Sequence, residues 1–134
     1  MSDLTDYAET EIRDWLSQGV DPDTAPTTVY VGLHTSDPGD APDGTTEVGA
    51  ADYDRVGVSA GTGWNTPNTN DFENANEISF GTATNDWGTI THVSLWDSAT
   101  TGNAFAAFAL SSSKAIAVDD EATFPAGNLS FALD

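Results

Sequence analysis

Thr27-Thr28-Val29-Tyr30-Val31-Gly32-Leu33-His34-Thr35 (TTVYVGLHT) is the stretch that decides the fold. Val29, Val31 and Leu33 alternate with Tyr30, Gly32 and His34, the period of two of a strand with one apolar face. Toward the C-terminus, further strands are expected at Tyr53 to Ser59, Glu77 to Gly81, Thr89 to Asp97, Asn103 to Leu110, Lys114 to Val118 and Leu129 to Leu133. A shorter extended piece covers Ala122 to Phe124. Ser36 to Thr46 (SDPGDAPDGTT) and Gly61 to Asn74 read as long polar loops, and Asp97 to Asn103 (DSATTGN) as a hairpin loop. Toward the N-terminus the period lengthens. Leu4, Ala8, Ile12 and Leu16 recur every fourth residue with Trp15 beside them, which predicts a helix over residues 3–18. Ser2 or Asp3 would cap it, and Gly19 ahead of Pro22 would end it. Seven or eight short strands without alternating helices specify a mainly β chain. The expected architecture is an antiparallel β-sandwich (jelly-roll or Ig-like) over 27–134 with one N-terminal α-helix, in a single domain of 134 residues.

Acids outnumber bases 22 to 3, and the bases are Arg13, Arg55 and Lys114, for a net charge of −19. The acids are dispersed from Asp3 to Asp134, so the surface as a whole would repel phosphates, and nucleic acid is not an expected partner. Four Trp, six Phe and regular alternation argue against a disordered acidic chain. A diffuse, Lys-poor acidic surface fits adaptation to molar salt, where the Debye length shrinks to about 3 Å and simple charge repulsion is screened. Cys is absent, which removes disulfides, thiolate metal sites and Cys nucleophiles. No apolar run approaches the roughly 18 residues of a membrane span, so membrane insertion is not expected. The opening Met1-Ser2-Asp3-Leu4-Thr5-Asp6 carries neither a signal-peptide pattern nor a twin Arg. The protein is expected to stay inside the cell that makes it, or to leave it only as part of an assembled particle.

Catalysis needs a nucleophile, base or metal in a defined constellation. His34 and His92 each fall in a predicted strand, where a satisfied hydrogen bond on a sheet face is the simpler role than zinc binding. Gly57-Val58-Ser59-Ala60-Gly61 formally matches a nucleophile elbow, but Thr62-Gly63-Trp64-Asn65-Thr66-Pro67 cannot open the helix that an elbow requires. Neither an enzyme nor a cofactor is therefore expected. Asp37, Asp40 and Asp43, with Gly39 and Gly44, are weak calcium candidates without the EF-hand pattern, and a solvated acidic loop accounts for them more simply. Trp64 and Trp87 are candidates for stacking on a glycan. Trp15, Leu16, Tyr30 and Trp96 are candidates for a subunit interface.

The strings themselves carry a resemblance. YVGLHTSDP (30–38), then Glu47-Val48, then Tyr53-Asp54-Arg55, then DWGTITH (86–92), DSATTGN (97–103) and Ala126-Gly127-Asn128-Leu129 resemble, in that order, a family of short virion structural proteins of tailed phages. Members are variously labelled tail-fibre, minor tail or head-decoration proteins. Ala50-Ala51-Asp52 stands where that family has glycines, which weakens the turn expected there. The resemblance spans about Val29 to Asp134. It implies a virion component, and the acidic surface suggests a haloarchaeal virus. A compact domain without a shaft favours a capsid decoration or turret subunit acting through symmetric contacts. The alternatives are a tail or tail-fibre component, or a receptor- or glycan-binding module on the virion. Implied partners are other virion proteins, further copies in a homo-oligomer (trimer or pentamer), and a host-surface receptor or glycan.

Overall fold

The computed structural model describes residues 3–22 and 25–133. One helix, α1 (Asp6–Gln18), precedes nine strands: β1 (Thr28–His34), β2 (Val56–Ser59), β3 (Trp64–Asn65), β4 (Asp71–Asn74), β5 (Ile78–Thr82), β6 (Gly88–Trp96), β7 (Ala104–Ile116), β8 (Glu121–Phe124) and β9 (Ser130–Ala132). They form three antiparallel sheets with orders β2-β1-β6-β7, β3-β4-β9 and β5-β8. The chain is mainly β with one N-terminal helix, as its periodicity predicts. One layer is a continuous sheet and the other is split in two.

Two expectations need correction. The stretch 61–74 is not all loop: β3 and β4 pair there, with Trp64 opposite Asn74. Their shortness, and the polar residues between them, hide the pattern. The two strands expected around residues 111–113 are one strand, β7. Its register slips there: Ile90 pairs with Lys114 while His92 pairs with Ala109, so the surplus residues between bulge out.

Register decides the core. Val31, Leu95 and Ala106 lie side by side on one face of the large sheet, as do Leu33, Val93 and Phe108. Facing them, Phe72 stacks on Phe131 at 5.0 Å, and Phe108 meets Phe131 edge-on at 4.4 Å. The pair β5-β8 adds Ile78 and Ala122 to the same buried cluster. Asn74, fully buried, ties the two small sheets together. Its amide nitrogen donates to the carbonyls of Asn76, Phe124 and Pro125, and its side-chain oxygen accepts from Leu129 N–H at 2.9 Å.

The helix starts later than its spacing suggests. Asp3 and Leu4 are taken into extended pairing with β7, through the Leu4–Ala106 bridge and the Ala107 N–H to Asp3 carbonyl bond of 2.8 Å. Thr5 is therefore the cap, its hydroxyl accepting from Ala8 N–H, in place of Asp3; the alternative cap, Ser2, lies outside the described residues. Gly19 closes the helix at φ 66°, as expected. Of the apolar stripe, Ala8 is buried against the sandwich, but Ile12, Trp15 and Leu16 are 41%, 53% and 73% exposed. Ala8 alone in the helix is buried.

Candidate functional site

Four of the strings that carry the family resemblance, at 30–38, 47–48, 53–55 and 97–103, are far apart in sequence and meet on the second face of β1. His34 is fully buried there. Its Nε2 lies 2.6 Å from Ser94 Oγ and its Nδ1 2.8 Å from Thr46 Oγ1. Trp96 Nε1–H donates to the same Ser94 oxygen at 2.6 Å. A neutral imidazole donates from one ring nitrogen and accepts at the other, so Ser94 and Thr46 take opposite roles toward His34. Arg55 closes the cluster. It grips Glu47 with two bonds of 2.8 Å, donates to the Ser98 and Thr101 carbonyls at 2.9 and 2.8 Å, and lies 3.7 Å over the Trp96 ring. Tyr53 O–H donates to Glu47 at 2.8 Å and accepts from Leu33 N–H at 2.8 Å. The loop between β1 and β2 thus clamps the sheet, and the guanidinium clamps the β6–β7 hairpin.

Two glycines make this geometry possible. A Cβ on Gly32 would come within 2.9 Å of Ser94 Oγ and 3.0 Å of Glu47 Oε1, so the cluster has no room for one. Gly102 takes φ 77°, and its Cβ would fall 2.2 Å from Asp97 Oδ1, the atom that accepts Asn103 N–H and sets the hairpin.

Electrostatics follows from burial. Removal from water pushes the His34 imidazole down to about 4; Glu47 opposes this, and Arg55 and His92 add to it. His34 is therefore neutral at ordinary pH. Burial, and then the Glu47 carboxylate, push the Tyr53 phenol far above its ordinary range. Asp52 goes the other way. Burial pushes its carboxyl up, but donors from Thr84, Asn85 and the Trp87 indole outweigh this and hold it well below the carboxylate range. The turn expected to be weakened by Ala50-Ala51-Asp52 forms, with Tyr53 N–H bonded to Ala50 carbonyl at 3.1 Å, and Asp52 uses it to brace the entry to β6.

The Ser94–His34 contact has the geometry of a nucleophile and its base, but both residues are fully buried. A substrate cannot reach either one. Gly57 to Gly61 runs along β2, an antiparallel edge strand, and then into a turn, which is not the setting of a nucleophile elbow.

Burial overturns two of the site expectations. Trp96 is 1% exposed and cannot be an interface residue; its ring lies under Arg55. Trp87 is 4% exposed, with its ring edge-on to Tyr53 and its N–H on Asp52, so it presents no face to a glycan. Trp64 is half-buried against Phe72 and Phe131 as a core ring. Tyr30 is half-buried, whereas Trp15 and Leu16 are open to solvent. Asp37 and Asp43 each turn a carboxylate oxygen onto nearby backbone, at Gly39 and Thr45, and Asp40 offers its carbonyl to Asp6 N–H. Among the described residues, no three of Asp, Glu and His are grouped to hold a metal ion, and no helix is long and apolar enough to cross a membrane.

A family model described as podophage GP4 fiber I protein gp80 matches residues 3–132. The chain belongs to this family. The gp80 match reaches back through α1, which the motif strings alone did not cover, and it makes the chain one of the virion structural proteins of tailed phages. No curated protein matches the chain. Within the gp80 member described here, the strings at 30–38, 47–48, 53–55 and 97–103 supply His34, Glu47, Tyr53, Arg55, Ser98 and Thr101 to the buried clamp.

Thr5, Asn74 and Asp52 were not singled out as working residues by their sequence pattern. Thr5 carried a legible signal, a Thr ahead of a helical period, but Asn74 is one Asn among several in a polar stretch.

Proposed function

We propose that the chain is a non-enzymatic structural subunit of a tail fibre of a tailed virus, acting through protein–protein contacts with other virion proteins and with further copies of itself. The observation that carries this is the match to a podophage fibre family over residues 3–132. The buried state of the Ser94–His34 pair supports a role without catalysis. The fibre name favours the tail over the capsid-decoration role that compactness alone suggested. The dispersed acidic surface supports a virus of a halophilic, archaeal host, assembled in that host's cytoplasm.

Antibody-labelled electron microscopy of purified particles, with peptide mass spectrometry, tests the assignment. Label at the tail fibres is the expected result. Label over the capsid surface would restore the decoration or turret role. Absence of the protein from purified particles would remove the virion reading.

A further inference from the structure

Six large apolar side chains are exposed among the described residues, and four of them, Ile12, Trp15, Leu16 and Val20, fall within nine residues on and just after α1. Ile12 is partly covered beside Pro22, Pro26 and Phe105, whereas Trp15, Leu16 and Val20 stand open to solvent. From these observations we infer that the outer face of α1 is the surface through which two copies of this chain associate, stripe against stripe. The inference deepens the structural reading above and rests on it, by naming the face and the partner.

Charge selects the partner. With 22 acids against three bases, most patches of this surface would set acid against acid if paired with themselves. Positions 12, 15, 16 and 20 are uncharged, so here the surface can meet its own copy. A twofold contact requires this of a patch, since the same residues face each other across the axis. The spacing of Ile12, Trp15 and Leu16 (i, i+3, i+4) puts them on one face of the helix, as in a helix-packing seam.

Area agrees. The exposed fractions, 41%, 53%, 73% and 55%, amount to about 400 Å² of apolar surface per copy at roughly 150–250 Å² for each large side chain. That is the size of the largest apolar patch on a typical monomer, about 300–600 Å², which is often functional. Two stripes give about 800 Å². At an apolar share near 60% they imply an interface of about 1,300 Å² in all, above the roughly 1,000 Å² that a specific contact needs.

The test is the mass of the full chain by light scattering and sedimentation, in about 0.1 M and about 2 M salt. Wild type is expected at twice 14.0 kDa, with association stronger in high salt as the surrounding acids are screened. The double variant Trp15→Ser, Leu16→Ser is expected to associate at least about tenfold more weakly, while its circular dichroism and unfolding midpoint stay those of wild type. Ile12→Ser alone gives a second reading should the double variant misfold, and Val118→Ser, away from the stripe, should change nothing. Single-chain mass for wild type at both salts would overturn the inference, as would wild-type association in the variants. Association that weakens as salt rises would also overturn it, by pointing to an ionic contact. None of these results bears on whether the protein is found in purified particles, so this inference and the fibre assignment can fail separately.

Discussion

Val31 and His34 lie on opposite faces of β1 and both are fully buried, yet they are surrounded by different chemistry. Val31 faces Leu95 and the aromatic group around Phe131, a dry core held by burial of area. His34 faces Ser94, Thr46, Glu47 and Arg55, where polar groups meet partner after partner. Strict alternation along one strand normally means one dry face and one wet one. Here the wet face has been roofed by the loop between β1 and β2, which brings its own donors and acceptors. The difference teaches how a chain with few bases can bury a polar face: each buried group is answered by another, and one guanidinium joins two loops. A dry face tolerates gradual loss of contact, whereas a polar face is costly as soon as one partner goes missing.

The sharpest way to break the polar face is Arg55→Ala. It strands the Glu47 carboxylate under the loop and removes the donor from Ser98 and Thr101 carbonyls. A loss of about 3–5 kcal/mol is expected in urea melts run in molar salt. The pair Glu47→Leu, Arg55→Met should cost less than Arg55→Ala alone, because no charge is then left buried; a larger loss for the pair would contradict the account of a matched network.

Next in size is the pH dependence of His34. Its pKa is 6.5 when unfolded and about 4 when folded, so between these values the unfolded chain takes up the extra proton. The stability due to neutral His34 is complete above about pH 6.5. It is lost as pH falls through 4, by about 3 kcal/mol in all. Melts of His34→Asn should be flatter than wild type over that window, and identical slopes would count against a neutral buried imidazole.

The smallest effect probes the dry face. Trp64 Nε1 is buried without a partner, so Trp64→Phe loses ring volume but also removes an unanswered donor. The change should stay within about 1 kcal/mol. A loss comparable to that of Arg55→Ala would show that the two faces fail in the same way.

Much of this was legible beforehand. Period-two alternation placed β1 and β6, and Gly19 ended the helix, because those signals are local. The expectation that each His satisfies a hydrogen bond on a sheet face describes His34 well. The clamp was visible only as an ordered set of strings, since nothing in Glu47 or Arg55 says that they meet across the loop. Trp87 and Trp96 were offered to partners because aromatic residues look alike in sequence whether they are buried or open. The joining of β7 across Ser111–Ser113 was hidden because a bulge and a loop share the same small polar residues.

The stitching of Asp3 to β9 has a mechanical consequence. Asp3 N–H bonds the Ala132 carbonyl at 3.4 Å and Ala132 N–H bonds the Asp3 carboxylate at 3.1 Å, so the chain enters and leaves the body at one point. Tension applied between whatever precedes Asp3 and whatever follows Ala132 therefore pulls first on these few bonds and on the short pairing with β7. Phe131 of the aromatic core sits next to the stitch in β9 and meets the load directly after it. The clamp lies off that path.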